Sequence, residues 1–205
     1  MFWKQLALTL NGYLLGSILF SYHFPLWMKR FDVVRDSEDH NPGTANAFRY
    51  AGVPVGILCL LCDLAKGALP IWVGLHVMGN QFPLLPLLMA APVLGHATAP
   101  WYGFSGGKAI AAAFGVLIGL LPVTRAVYVL VFWYLFFSLL WVIHPNERRS
   151  VVTFVAFTLT MAAFALKTGR FDLALGCGLL SLPPVYKNYI DIERAKQARL
   201  LNKEL

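Results

Sequence analysis

Two polar segments carry residue types that can do chemistry. Residues 35–49 read Arg-Asp-Ser-Glu-Asp-His-Asn-Pro-Gly-Thr-Ala-Asn-Ala-Phe-Arg. Acids, bases and amides gather there around Asn41-Pro42-Gly43, a triplet that favours chain reversal. Asn46 and Arg49 are three apart, so a helix starting at the turn would project them together. Arg49 has the planar donor fork that suits a phosphate; a plain anchor on the cytoplasmic side is the alternative. Asp39 and His40 are an adjacent acid and imidazole, able to move a proton or simply to sit in solvent. The second segment is Ser105-Gly106-Gly107-Lys108, placed directly before an apolar run. Glycines let backbone N–H groups approach an anion, a helix start favours negative charge, and lysine adds a point charge. This is phosphate-site chemistry, although the Gly-x-x-x-x-Gly-Lys-Ser/Thr frame of a nucleotide loop is absent; an ordinary turn is the alternative.

Three further positions are candidates. Asp63 and Lys66 lie three apart inside an apolar run, so they share a helical face. Charges at membrane depth are paired or functional, and the spacing allows an internal ion pair or a substrate role. His96 follows Gly95 near the end of another apolar run, where a satisfied structural histidine is the alternative. Cys59 and Cys62 have Cys-x-x-Cys spacing but sit among leucines, so they read as small core residues and not as a metal or redox site. No metal cluster, nucleophile elbow or nucleotide fingerprint is present, and no cofactor is expected.

The elements that must position these groups are apolar. Of 205 residues, 58% are hydrophobic and 13% charged, about half the roughly 25% charged share of soluble domains. Apolar segments recur at lengths near the roughly 20 residues that cross a bilayer, and in lipid such segments must be helices or closed barrels. The reading is all-α: one polytopic membrane domain, residues 1–205, with about seven transmembrane helices. The net charge of +7 fits basic cytoplasmic loops better than nucleic acid, which needs a basic soluble face.

The spans are expected near 6–28, 51–78, 84–99, 109–121, 126–143, 151–166 and 171–186. Gly12, Gly16 and Ser17 give the first a face for close helix approach. Gly67 and Pro70 suggest a kink or break in the second. An uncharged loop at 79–83, a charged turn at 144–150 and a basic tail from 187 to 205 are the remaining connections. With the N-terminus outside, twelve lysines and arginines fall on the cytoplasmic side, Lys203 among them, and four on the other, which supports that orientation, with the C-terminus inside. Both polar segments, the charged turn and the tail then meet on the cytoplasmic face.

Three stretches, in order, resemble the bacterial acyl-phosphate:glycerol-3-phosphate acyltransferase family of small integral-membrane enzymes. They are Gly16-Ser17-Ile18 with Arg35 and residues 41–49; Asp63-Leu64-Ala65-Lys66-Gly67; and Gly95-His96 through Pro100 to Ser105-Gly106-Gly107-Lys108. The resemblance implies seven helices, a cell-membrane location and a cytoplasmic-face site that transfers a fatty acyl group from acyl phosphate to glycerol 3-phosphate. It implies that Asn41, Gly43, Asn46, Gly106, Gly107 and Lys108 bind substrate and phosphate, with Asp39, Arg49 and His96 at the reacting groups. The implied partners are the two substrates and membrane lipids. The chain departs from the family where Glu38-Asp39-His40 replaces Gly-Ser-Gly, where Ala109 replaces a glycine, and where Asn188 and Asp191 replace a histidine and an asparagine. A paralogue with another polar acceptor, or a non-catalytic binding or transport protein, are the competing readings.

Overall fold

The computed structural model describes residues 1–79 and 82–201. Part of the expected 79–83 loop and the basic residue Lys203 lie outside them. Among the described residues every regular element is helical. In chain order these are α1 (Phe2–Gly16), α2 (Phe20–Lys29), α3 (Val33–Asp36), α4 (Thr44–Ala51), α5 (Val53–Met78), α6 (Leu85–Thr98), α7 (Ile110–Gly119), α8 (Ala126–Leu135), α9 (Asn146–Thr168) and α10 (Phe171–Leu201). A 3-10 turn, Pro100–Tyr102, follows α6, and a π turn, Phe136–Leu140, extends α8. By length and composition α5 and α9, of 26 and 23 residues, suffice to cross a bilayer.

Small residues let these helices touch. A methyl group on Gly16 would run into the Pro92 backbone of α6, and one on Gly67 would hit the backbone of α7 around Ala112. Such contacts bring α1 onto α6 and α5 onto α7, as small-residue faces do when apolar side chains cannot drive association. Leu88, Met89, Val116, Leu117, Phe154 and Leu180 fill the centre and are fully buried. Large apolar side chains cover the outside, among them Trp3, Leu139 and Leu166.

The helices differ from the expected spans in four places. The first span is two helices, because the chain breaks at residues 17–19. There the Ser17 hydroxyl turns back to the Tyr13 carbonyl at 2.8 Å, and the Ile18 carbonyl is free to accept the Lys66 ammonium at 2.6 Å. The second span is not broken: α5 is continuous through Gly67 and Pro70, its glycine serving contact with α7. The charged turn belongs to a helix from Asn146 onward, where Glu147 occupies the first turn and complements the helix dipole. The tail also stays helical, since α10 continues to Leu201 through alanine, lysine, arginine and leucine, all good helix formers.

Candidate active site

The segment 37–43 is folded by one amide. Asn46, in the first turns of α4, directs its side-chain NH2 to the Ser37 hydroxyl at 3.2 Å, the Asp39 carboxylate at 2.6 Å and the Asn41 carbonyl at 2.9 Å. This works because Gly43 caps α4 with extended backbone while its N–H closes on the Asn41 carbonyl at 2.7 Å. His40 takes a left-handed conformation, φ 51°, and its Nδ1 lies 2.8 Å from the Val34 carbonyl oxygen. Asp39 and His40 are therefore turned to different partners and form no acid–base pair.

Arg49, one turn after Asn46, meets Glu38 fork to fork, Nη1 to Oε2 and Nη2 to Oε1 both at 2.8 Å. The Glu38 carboxylate raises the guanidinium pKa above its ordinary value. A bidentate pair of this shape is also how arginine holds phosphate.

The Gly106-Gly107-Lys108 strip lies against this segment. A methyl group on Gly106 would collide with the His96 and Ala97 carbonyls at the end of α6. One on Gly107 would come within 2.6 Å of His96 Nε2 and 3.3 Å of both the Asn41 side-chain oxygen and the Pro42 carbonyl. Only glycine permits the strip to be wedged there. Ala109 then turns left-handed, φ 59°, before α7 begins. From α10, Lys187 donates to the Gly106 carbonyl at 3.0 Å.

Lys108 holds three carboxylates from distant parts of the chain. Its Nζ is 3.0 Å from Glu147, 3.1 Å from Asp191 and 3.6 Å from Asp39. Burial works against the ammonium charge, but Glu147 and Asp191 together outweigh it and keep the pKa above the ordinary 10.5. Burial likewise opposes the Glu147 charge, yet its own backbone N–H and Lys108 hold that carboxyl below the ordinary 4.5.

Beneath the strip lies an ion pair cut off from solvent. Lys66 and Asp63 are 2.8 Å apart, with side chains 1% and 0% exposed. The second Asp63 oxygen accepts from Ser21 at 2.5 Å and Thr44 at 3.0 Å. His96, also buried, places Nδ1 3.9 Å from Asp63. Asp63 thereby ties α2, α4, α5 and α6 together directly under the polar segment. The i, i+3 spacing read from sequence produces the expected pair. Cys59 and Cys62 are free thiols, Cys59 buried.

Seven of the nine site candidates, all but Gly106 and Gly107, line one cavity of about 880 Å³, together with Asp63, Glu38, Glu147, Ser150 and Asn188. Its floor is apolar and runs between α5, α7 and α8 along Leu60, Leu64, Ile110, Phe114, Ile118 and Val131. From Ile110 to Ile118 it follows α7 for about 12 Å at 1.5 Å per residue. An amide-rich mouth carrying Arg49 and Lys108, each paired with carboxylates, over an apolar channel suits a molecule with a polar head and a hydrocarbon tail. Glu147 went unrecognised as a site residue from sequence; its place three residues before Ser150, at a helix start, was the available signal.

A family model described as glycerol-3-phosphate acyltransferase matches residues 6–198. Glycerol-3-phosphate acyltransferase of Pseudomonas aeruginosa (strain LESB58) is 35% identical over 162 residues, covering 77% of this chain and 79% of that protein. Its counterpart in Shouchella clausii is 38% identical over 117 residues, 57% of each chain, and glycerol-3-phosphate acyltransferase 2 of Thermotoga maritima is 39% identical over 119 residues, 58% of this chain and 60% of that one. The matched part thus spans less than two thirds of the Shouchella and Thermotoga proteins. The crystal structure of PlsY, an integral membrane glycerol 3-phosphate acyltransferase, in its glycerol 3-phosphate form superposes with a TM-score of 0.77 at 25% identity, over 96% of this chain and 94% of that one.

Proposed function

The chain belongs to the glycerol-3-phosphate acyltransferase family, and from that premise we propose that it moves a fatty acyl group from acyl phosphate to glycerol 3-phosphate, forming lysophosphatidate for phospholipid synthesis. The observation that carries the reading is the cavity itself. Arg49 and Lys108 stand at its polar mouth and an apolar channel lies below. Each methylene of an acyl chain buried in such a channel contributes about 0.8 kcal/mol.

In this reading the donor's phosphate lies on the Gly106-Gly107 backbone and Lys108, and Arg49 takes the acceptor's phosphate. The acceptor hydroxyl attacks the acyl carbon, the carbon–oxygen bond to phosphate breaks, and phosphate leaves as an ester forms. Asp39, held by Asn46, receives the hydroxyl proton, and His96 supports the strip from below. Acyl phosphate is already activated, so alignment and charge stabilisation supply most of the catalysis. No cofactor enters the scheme.

We place the protein in the cell membrane as a multi-pass bundle, seven crossings with the N-terminus outside and the site facing the cytoplasm. Buried Asp63 and Lys66 inside an apolar exterior and the distribution of lysine and arginine support this placement. A second reading, transfer to a different polar acceptor, draws support from one feature. Carboxylates already occupy Arg49 and Lys108, and they oppose a dianionic acceptor. Purified protein in lipid, supplied with acyl phosphate and glycerol 3-phosphate, separates the two: lysophosphatidate supports the first, and acyl transfer only to another acceptor supports the second.

A further inference from the structure

A second cavity, about 620 Å³, opens between α6 and α10 and shares no lining residue with the first. Leu94 and Ala97 of α6 line it with Leu182, Val185, Tyr186 and Tyr189 of α10, and Phe104 adds to the lining. The lining is apolar apart from tyrosine hydroxyls, the Thr98 hydroxyl and one ammonium. Thr98 is taken up at 2.9 Å by the Leu94 carbonyl of its own helix. The single charged residue is Lys187, half-buried, whose Nζ donates to the Gly106 carbonyl at 3.0 Å.

We propose that this groove binds one acyl chain of an anionic phospholipid, with the headgroup phosphate on Lys187. The shape fits: from Leu182 to Tyr189 the groove follows α10 for about 10 Å at 1.5 Å per residue. Leu94, Leu182 and Tyr186 are 45%, 61% and 63% exposed along its rim, so it opens outward where hydrocarbon would lie. The charge fits too. A lysine at the interfacial end of an apolar groove attracts anionic headgroups, and tyrosines such as Tyr186 and Tyr189 settle at that depth. The consequence is coupling. Lys187 reaches the lipid and the Gly106 carbonyl from one ammonium, so headgroup capture bears on the strip that carries Lys108. The inference rests on the membrane placement proposed above and is independent of acyl transfer.

The test uses full-length protein in phosphatidylcholine nanodiscs with a few mole per cent of a lipid bearing a diazirine in its acyl chain, on either a phosphatidylglycerol or a phosphatidylcholine head. After irradiation, adducts are mapped by peptide mass spectrometry. Phosphatidylglycerol adducts should concentrate on Leu94, Leu182 and Tyr186 and exceed phosphatidylcholine adducts there by about fivefold, the worth of one lysine at a membrane surface. Lys187→Met should abolish that preference, and Lys187→Arg should keep it. Adducts spread evenly over the outer faces of α1, α8 and α9, equal labelling by both heads, or a preference that survives Lys187→Met would overturn the proposal. Labelling needs no turnover, so an inactive protein that labels as expected would sink the acyl-transfer reading alone. Protein that fails to enter nanodiscs at all would sink the membrane placement and this site with it.

Discussion

Glu38 and Arg49 face each other with both carboxylate oxygens on both terminal guanidinium nitrogens at 2.8 Å. The cation proposed to receive the acceptor's phosphate is thus already matched by an internal anion. Binding the acceptor means exchanging one bidentate partner for another. Because both side chains are exposed, solvent and salt screen the pair and it is weak. Glu38→Gln should therefore lower KM for glycerol 3-phosphate by about two- to fivefold, with kcat within about twofold, in steady-state kinetics at low salt. An unchanged KM would show that the carboxylate does not compete.

The interior pair responds differently. Lys66→Met leaves the Asp63 carboxylate in a site that is 0% exposed with only hydroxyl donors. Removing one partner of a buried ion pair costs about 3–5 kcal/mol. Thermal unfolding in detergent should show a large loss for this variant. The double change Lys66→Met with Asp63→Asn, which removes both charges, should recover part of it. Equal loss in both would mean that packing, not the stranded charge, dominates.

Ala109 offers a gain. It sits at φ 59°, where a side chain costs roughly 1–2 kcal/mol and glycine costs little. Ala109→Gly should raise the unfolding midpoint and leave the Lys108 contacts in place. A lowered midpoint would place the strain elsewhere.

The clip around Lys108 gives a pH signature. The Glu147 pKa is lowered, so its stabilisation is present above the ordinary 4.5 and fades as pH falls through the folded value. The Lys108 pKa is raised, so its contribution is present below 10.5 and fades as pH rises through the folded value. Between these limits the clip stays charged. In Glu147→Gln a leading support for the ammonium is gone and burial gains weight, moving the Lys108 pKa down. The alkaline limb of kcat/KM should shift to lower pH in that variant. A profile identical to the parent would show that Lys108 charge does not limit turnover.

Much of this arrangement is legible in the sequence. The apolar runs locate α5, α6 and α7 to within a few residues. The Asp63–Lys66 spacing gives their contact, and the loop charges bring residues 35–49 and the Gly-Gly-Lys strip to one face. What the sequence hid is tertiary. The break at residues 17–19 has no proline; it is favoured because the Ile18 carbonyl then meets Lys66, 48 positions away. The carboxylates on Lys108 come from positions 39, 147 and 191, and no local pattern links them. Asp39 and His40 looked like a proton-transfer pair because they are adjacent, yet the left-handed turn at His40 separates them. Asn46, read from the sequence as a substrate contact, also holds the loop through its side-chain amide.

Arg49 and Lys108, both lining one cavity, are proposed to receive two phosphoryl groups together. The most direct test is lysophosphatidate formation by purified protein in lipid, from acyl phosphate and glycerol 3-phosphate, in the parent chain and in Arg49→Ala and Lys108→Ala. The parent should form product and each variant should lose about 10²-fold or more, the scale for removing one electrostatic contact to the reacting groups. Parent-level rates in both variants, or no product from the parent while acyl phosphate is consumed with another acceptor, would contradict that proposal.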